Sequence, residues 1–210
     1  AGLSAGADQT ICPGSSTNLT VSSSFLNSIL FTEVSGFETG TGAGANAPGV
    51  TGFDFIELTN IGNLPVNISG WRLEVVGTTP GVYLIPAGNT IPAGGTFTIA
   101  RTGGGAAIPG VYVSSTLTSV GSATSQGFIL SDLGGNIVDV VAINGGTPFN
   151  PVGTGTPAVT ASMWTGNVAS STGTAGIRRT AASDNNSAAD WTVASASNLT
   201  NFGNFNTGIS

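Results

Sequence analysis

The sequence contains no histidine and no lysine, and it has four arginines among 210 residues. Without an imidazole the chain lacks the usual general base near neutral pH and the commonest nitrogen ligand for metals. Without either residue a serine nucleophile has no base, and a P-loop has no lysine. Because the net charge is −6, the chain has no basic stripe for nucleic-acid phosphates. These absences predict a protein that is neither an enzyme nor a nucleic-acid binder.

Cys12 is the only cysteine, so no disulfide can form within the chain. It is interpreted either as a small strand residue or as a thiol for an intermolecular bond. No apolar run is long enough to cross a bilayer as a helix, so membrane insertion is not expected. The chain begins at Ala1 without a basic leader segment, which is typical of a mature product after signal removal. The sequence therefore predicts a secreted protein, extracellular or on the cell surface.

Short β-branched runs are separated by Gly, Pro and Asn turns, and helical periodicity is almost absent. This pattern predicts an all-β fold, an antiparallel β-sandwich. Long Gly/Pro/Asn-rich loops are expected at 38–52, 145–160 and 166–189, because prolines and small polar residues interrupt strand patterns there. The predicted strands are 18–23, 29–35, 53–60, 67–76, 82–85, 96–101, 111–115, 127–130, 137–143 and 191–194.

Four segments between residues 29 and 101 carry a recognisable order of motifs. In sequence they read ILFTEVS (29–35), FDFIELTN (53–60), LPVNISGWRL (64–73) and IPAGGTFTIA (91–100). This order resembles the bacterial branch of the lamin-tail domain family. Residues 128–141 are similar to the final hairpin of that family, and residues 177–191 to its closing segment. The resemblance implies an immunoglobulin-like sandwich in a secreted or surface protein, with no catalytic residues to transfer.

The predicted organisation has three parts: an N-terminal arm (1–28), the sandwich (29–195) and a polar C-terminal tail (196–210). Residues 5–20 of the arm resemble the opening of immunoglobulin-like repeat modules in large bacterial surface proteins. An arm with few large apolar residues has to rest on a sheet edge, either its own or that of a neighbouring copy. The second arrangement would join copies head to tail. The predicted interface residues are Ile11, Cys12, Leu19 and Val21.

Apolar positions of the motif strands define the expected core. Trp71 follows Gly70, where a tight bend would direct the indole into the core. Asn60 ends its strand where a side-chain cap of a turn is expected. The predicted core residues are Phe31, Phe55, Leu58, Trp71, Leu73, Ile99, Ile137 and Trp191.

Carboxylates supply the remaining candidate sites. Glu33, Glu57 and Glu74 are expected to approach one another across strands or to accept hydrogen bonds from the backbone or an arginine. Asp139 lies between apolar neighbours, which favours a buried partner such as Arg178 or Arg179. One loop offers oxygen ligands that suit Ca²⁺, although capped turns use the same residue types. The residues of this possible calcium site are Asp184, Asn185, Asn186 and Asp190; no other cofactor is expected.

Two functions remain open at this point. The first is a non-enzymatic extracellular structural protein, a fibre, filament or surface-layer subunit whose partners are copies of itself. The second is an adhesive module of a larger secreted protein that binds surface polysaccharide or another matrix polymer. Exposed aromatic residues on one face would favour the second function, and regular filaments would favour the first.

Overall fold

The computed structural model describes residues 3–4, 22–23, 28–35, 55–77, 80–101, 111–114, 126–143, 159–160, 163–166 and 175–195. These residues form β-strands joined by turns, with one short 3-10 helix at Ala188–Asp190. No helix in the described ranges is long and apolar enough to cross a membrane. In chain order the strands are β1 (Leu3–Ser4), β2 (Ser22–Ser23), β3 (Ile29–Ser35), β4 (Phe55–Asn60), β5 (Val66–Asn67), β6 (Arg72–Gly77), β7 (Gly81–Leu84), β8 (Thr90–Ile91), β9 (Thr96–Arg101), β10 (Val111–Ser114), β11 (Gln126–Ser131), β12 (Ile137–Ile143), β13 (Ala175–Arg179) and β14 (Trp191–Ser195).

Two sheets form the predicted immunoglobulin-like β-sandwich. The larger has the order β10-β9-β4-β3-β13-β14, and the smaller has the order β12-β11-β6-β7. The strand pairs are antiparallel except β10, which runs parallel to β9. The strand pairs β5–β8 and β1–β2 each form a separate two-stranded ladder. The all-β, largely antiparallel architecture agrees with the expectation from the sequence.

The core lies between the two sheets and takes side chains from both. Phe31, Leu58, Leu73, Ile99 and Trp191 belong to the buried cluster. Phe55 is also buried but lies outside that cluster, because it shares a strand face with Glu57 and not with Leu58.

Two expected core residues are only half-buried. Trp71 and Ile137 pack against the cluster from its edge. Each stands where its strand meets a turn, so one side of the side chain remains open to solvent. The sequence assigned both residues to the core, and both pack against it at its edge.

Two regions differ most from the sequence prediction. The single strand expected at 67–76 is divided into β5 and β6 by a turn in which Gly70 adopts φ +75° and Trp71 N donates to Ile68 O. Residues 166–189, expected to be irregular, contain β13, which lies between β3 and β14 in the larger sheet. β13 has one large apolar residue, Ile177, so its sequence shows no alternation of apolar and polar residues. Its strand conformation depends on pairing with β3 and β14.

Turn chemistry agrees with the sequence at two places. β11 and β12 form a hairpin in which Asp132 N donates to Asn136 O at 2.9 Å and Gly135 adopts φ +81°. The turn before β9 uses Gly94 at φ +67°, with Gly95 N donating to Pro92 O. Only glycine adopts these angles without strain, and it therefore fixes the register of the following strands.

Asn60 fixes the end of β4. Its buried amide donates to Leu64 O at 2.8 Å and to Ile91 O at 3.0 Å, and its Oδ1 accepts from Gly62 N at 2.9 Å. The side chain therefore supplies hydrogen bonds to the turn that follows β4 and to the end of β8. This is the capping role predicted for Asn60.

Replacing Asn60 should destabilise the fold. We expect Asn60→Ala to lower the free energy of unfolding by about 2–4 kcal/mol, because the buried Ile91 carbonyl and two half-buried groups, Leu64 O and Gly62 N, lose their partner. Asn63→Ala in the same turn is the matched control, because this exposed side chain should change stability by no more than about 0.5 kcal/mol. Urea unfolding of both variants measures the difference, and equal effects would contradict the capping role.

Candidate functional site

A buried polar cluster around Arg179 joins the two sheets. Asp139 of β12 accepts from Arg179 Nη2 at 3.2 Å and from Phe31 N at 2.8 Å, so one carboxylate contacts both β13 and β3. Arg179 Nε donates to Phe31 O at 3.0 Å. Both charged side chains are 1% exposed. The sequence prediction that Asp139 has a buried arginine partner is confirmed, and the partner is Arg179.

A β-bulge makes room for this cluster. The pairing of β3 with β4 shifts register between Phe31 and Glu33, so Thr32 is the extra residue. The ladder between β3 and β13 pairs Val34 with Ile177 and Glu33 with Arg178. Because a bulge disrupts the local ladder, the Phe31 backbone bonds instead to the side chains of Asp139 and Arg179.

The predicted calcium loop folds around the same guanidinium. Asp184 Oδ1 lies 3.4 Å from Arg179 Nη1, and Asp190 Oδ2 lies 3.6 Å from it. Asp190 also accepts from Asn185 N at 2.8 Å and from Asn185 Nδ2 at 2.6 Å, and Asp184 accepts from Asn186 N at 3.1 Å. The four residues do meet, but their oxygens hold an internal cation and cap turns. Within the described ranges no group of three or more His, Cys, Asp or Glu residues could hold a metal ion.

The Arg179 cluster carries excess negative charge. Three carboxylates, those of Asp139, Asp184 and Asp190, lie within 3.6 Å of one guanidinium. Burial raises the pKa of Asp139 to about 7; Arg179 and two backbone N–H groups oppose this shift, and the Asp184 charge adds to it. Trp191 also packs against the guanidinium, whose carbon lies 5.0 Å from the ring centroid. This arrangement is suited to joining sheets and to responding to pH.

The three glutamates do not form one site. Glu33 and Glu57 lie directly opposite each other on β3 and β4, and both are buried. Glu57 accepts from Thr32 Oγ1 at 2.8 Å. Glu74 belongs to the smaller sheet and accepts from Arg72 Nε at 2.7 Å. This agrees with the predicted alternative in which a glutamate accepts a hydrogen bond from an arginine.

The predicted interface residues Ile11, Cys12, Leu19 and Val21 lie outside the described residues. What is described of the arm is the ladder in which Leu3 pairs with Ser23 and Ser4 with Ser22. That ladder is separate from both sheets of the sandwich.

An open cavity of about 300 Å³ lies at one end of the sandwich. Asp132, at the end of β11, and Trp71, just before β6, continue the register in which Ser131 pairs with Arg72. The lining is mostly apolar and includes the half-buried indole of Trp71. Among the residues that the structure describes, the lining consists of Ser28, Ile29, Pro65, Val66, Asn67, Trp71, Asp132 and Val138. Sequence reasoning missed this cavity, because it assigned Trp71 to the core.

The lamin tail domain model matches residues 22–145, which is more than half of the 210 residues. The chain belongs to the lamin tail domain family. No curated protein sequence matches it significantly. In this lamin tail domain, β3 to β12 lie inside the matched range, whereas β13 and β14 lie beyond it and still complete the larger sheet. Arg179 therefore stands outside the matched range, and its partner Asp139 stands inside it.

Proposed function

We propose that this protein is a non-enzymatic extracellular structural protein. Copies of the chain assemble head to tail into a filament or surface layer, and the N-terminal arm of one copy adds a strand to the sandwich of the next. The observation that carries this proposal is the outer edge of β7 (Gly81–Leu84), which pairs with no other described strand.

The edge of β7 has none of the charges that commonly protect a free strand. Its four residues are uncharged, and Leu84 is 60% exposed. The hydrogen bonds from Gly70 N to Ile85 O and from Ile85 N to Trp71 O direct the Ile85 backbone toward β6. Because neighbouring residues of a strand alternate, the N–H and C=O groups of Leu84 and Val82 point away from β6. Such an edge is a template for strand addition.

The arm suits the role of the added strand. Its described residues pair only with each other, in a ladder separate from the sandwich. A contact between an arm and a distant sheet edge is heterologous, and a contact of this kind produces open filaments when it does not close into a ring. The low charge of the chain, 14 charged residues in 210, reduces repulsion between copies.

Charge placed on this edge should prevent assembly. We expect Leu84→Lys, and deletion of residues 1–28, to raise the concentration needed for assembly at least about tenfold, equivalent to ~1.4 kcal/mol per contact. Leu64→Lys is the matched control, because Leu64 is 53% exposed and lies outside the strands. Electron microscopy and light scattering measure the effect. Dispersed wild-type monomers at high concentration, or filaments that persist in both variants, would refute the proposal.

A further inference from the structure

We propose that the cavity beside Trp71 is a binding site for a saccharide ring. This inference goes beyond the assembly proposed above and does not depend on it. The cavity, named the Trp71 cavity here, combines an indole wall with polar groups at its rim. Such a combination of an apolar surface and a few placed polar groups is typical of small-ligand sites.

Trp71 provides the apolar surface. Its indole is half-buried, packs against the core on one side and lines the cavity on the other. Two backbone hydrogen bonds of the turn hold it in place: Trp71 N donates to Ile68 O at 3.1 Å, and Ile85 N donates to Trp71 O at 2.9 Å. Gly70 permits this turn at φ +75°, and a Cβ at that position would lie 3.0 Å from Leu133 Cδ1. A rigid aromatic face costs little entropy when a ligand packs on it.

The polar rim offers both donors and an acceptor. In the described part of the chain, neither Trp71 Nε1 nor Asn67 Nδ2 donates a hydrogen bond. The Asn67 side chain bonds through its oxygen, Oδ1, which accepts from Ser69 N. Asp132 supplies the acceptor. Its Oδ1 accepts from Asn136 N and Nδ2, and its Oδ2 accepts from Asn136 Nδ2 at 3.0 Å. The backbone N–H groups of Gly134 and Gly135 also interact with this carboxylate. A carboxylate oxygen has two lone pairs, so Oδ2 retains acceptor capacity.

Asp132 is ionised at neutral pH. Burial tends to raise its pKa, but hydrogen bonds from Asn136, Gly134 and Gly135 outweigh burial and hold the pKa below the usual value. No arginine forms an ion pair with this carboxylate in the described ranges, in contrast to Asp139 and Glu74. Its oxygen is therefore open to hydrogen bonds from a ligand at the cavity.

A sugar ring fits this set better than a cation does. Sugar hydroxyls both donate and accept, so they can satisfy Asp132 Oδ2 and the N–H groups of Trp71 and Asn67 together. A cation would satisfy the carboxylate but would leave both donors facing a positive charge. The volume of about 300 Å³ is at the lower end for ligand cavities, which suits one ring rather than a long chain.

The ligand can reach the cavity from two sources that share this chemistry. One source is a free glycan, and the other is a glycan on Asn67, which is exposed and begins the sequon Asn67-Ile68-Ser69. Intact mass of the native protein, compared with an Asn67→Gln variant, distinguishes an attached glycan from a free one.

Binding of soluble sugars tests the free source. The probes are cello-oligosaccharides, chito-oligosaccharides and dextran fragments, titrated by calorimetry and tryptophan fluorescence. We expect Trp71→Ala to weaken binding about tenfold and Trp71→Phe, which keeps a ring for folding, to weaken it about threefold. Asp132→Asn, which retains one acceptor oxygen for Asn136, should weaken it about threefold. Thr192→Ala, an exposed position on β14 outside the cavity, should leave binding unchanged.

Each outcome is informative. Binding that weakens in the Trp71 and Asp132 variants, or an Asn67 glycan that shields Trp71 fluorescence from acrylamide, supports the site. Binding that is unchanged in those variants overturns it, as does the absence of both soluble binding and an Asn67 glycan. Binding of tetramethylammonium in place of every sugar would also overturn it and would assign a cation to the cavity.

Discussion

Replacing Arg179 with methionine should lower the free energy of unfolding by about 3–5 kcal/mol. The guanidinium is 1% exposed and bonds to Phe31 O, Ser183 O and the Asp139 carboxylate. Methionine fills much of the volume but leaves these acceptors without a donor. Arg179 also opposes the raised pKa of Asp139, so without it Asp139 either stays charged and unpaired or takes up a proton, and the loss comes mainly from this carboxyl group.

The adjacent arginine is a matched control for this prediction. Arg178 is on the same strand, is half-buried and points to the opposite face, where it lies across from Glu33 and Thr192. Because a partly exposed charge is hydrated, Arg178→Met should cost about 1 kcal/mol or less. Urea unfolding gives the midpoint urea concentration of each variant, and the midpoints are compared at an unchanged m-value. Equal losses in the two variants would show that the Arg179 cluster does not hold the sheets together.

A double-mutant cycle isolates the coupling between Arg179 and Asp139. Asp139→Asn in the Arg179→Met background removes the unpaired ionisable carboxyl group and should recover about 1–3 kcal/mol relative to additive losses. Recovery should be incomplete, because Arg179 also bonds to Phe31 O and Ser183 O. Additive losses would mean that the 3.2 Å contact between Arg179 and Asp139 contributes no coupling.

Local signals in the sequence predicted most of the strands. β3, β9 and β12 have the predicted bounds, because each contains several β-branched or aromatic residues and ends at a turn signal. β13 was missed for the opposite reason. Its sequence AGIRR contains two small residues and two arginines, and its strand conformation is determined by β3 and β14, which are distant in sequence. Long-range pairing of this kind leaves no local period.

The polar sites, like the strands, were predicted from local sequence only in part, and long-range pairing determines the rest. An aspartate between valines indicated that Asp139 is buried and needs an arginine. The choice between Arg178 and Arg179 depends on which face of β13 meets the smaller sheet, and this requires the register with β3. The Asp184–Asp190 loop has oxygen ligands but surrounds Arg179. From sequence alone an internal guanidinium and an external Ca²⁺ both satisfy such a loop, because each is a cation that prefers carboxylate oxygens.

The exposed side of Trp71 was not readable from the motif. The order Ile-Ser-Gly-Trp indicates a bend followed by an aromatic residue, and most such residues pack inside. Here the turn places Trp71 opposite Asp132, and both side chains line the cavity. Which side of an indole faces solvent depends on the neighbouring hairpin, and Leu133 of that hairpin lies against Gly70.

Asp139 should make the stability of the fold decrease as pH rises from about 4 to about 7. Its pKa is raised to about 7 in the folded chain from 3.8, so the folded state binds the proton more tightly than the unfolded state over this window. Stability from this group is therefore complete below pH 4, falls through the window and is constant above it. The predicted loss is roughly 4 kcal/mol, at 1.36 kcal/mol per pH unit.

Protonation of Asp139 is tolerated because Arg179 keeps two other carboxylates, Asp184 and Asp190, within 3.6 Å. Neutral Asp139 removes excess negative charge and leaves the guanidinium compensated. Asp139→Asn cannot titrate, so it should flatten the pH profile between 4 and 7 even if it lowers stability at every pH. Urea unfolding across this range, for wild type and variant, measures the two slopes. A wild-type profile that rises with pH would show that Arg179 and the two N–H donors outweigh burial, and would reverse the sign assigned to Asp139.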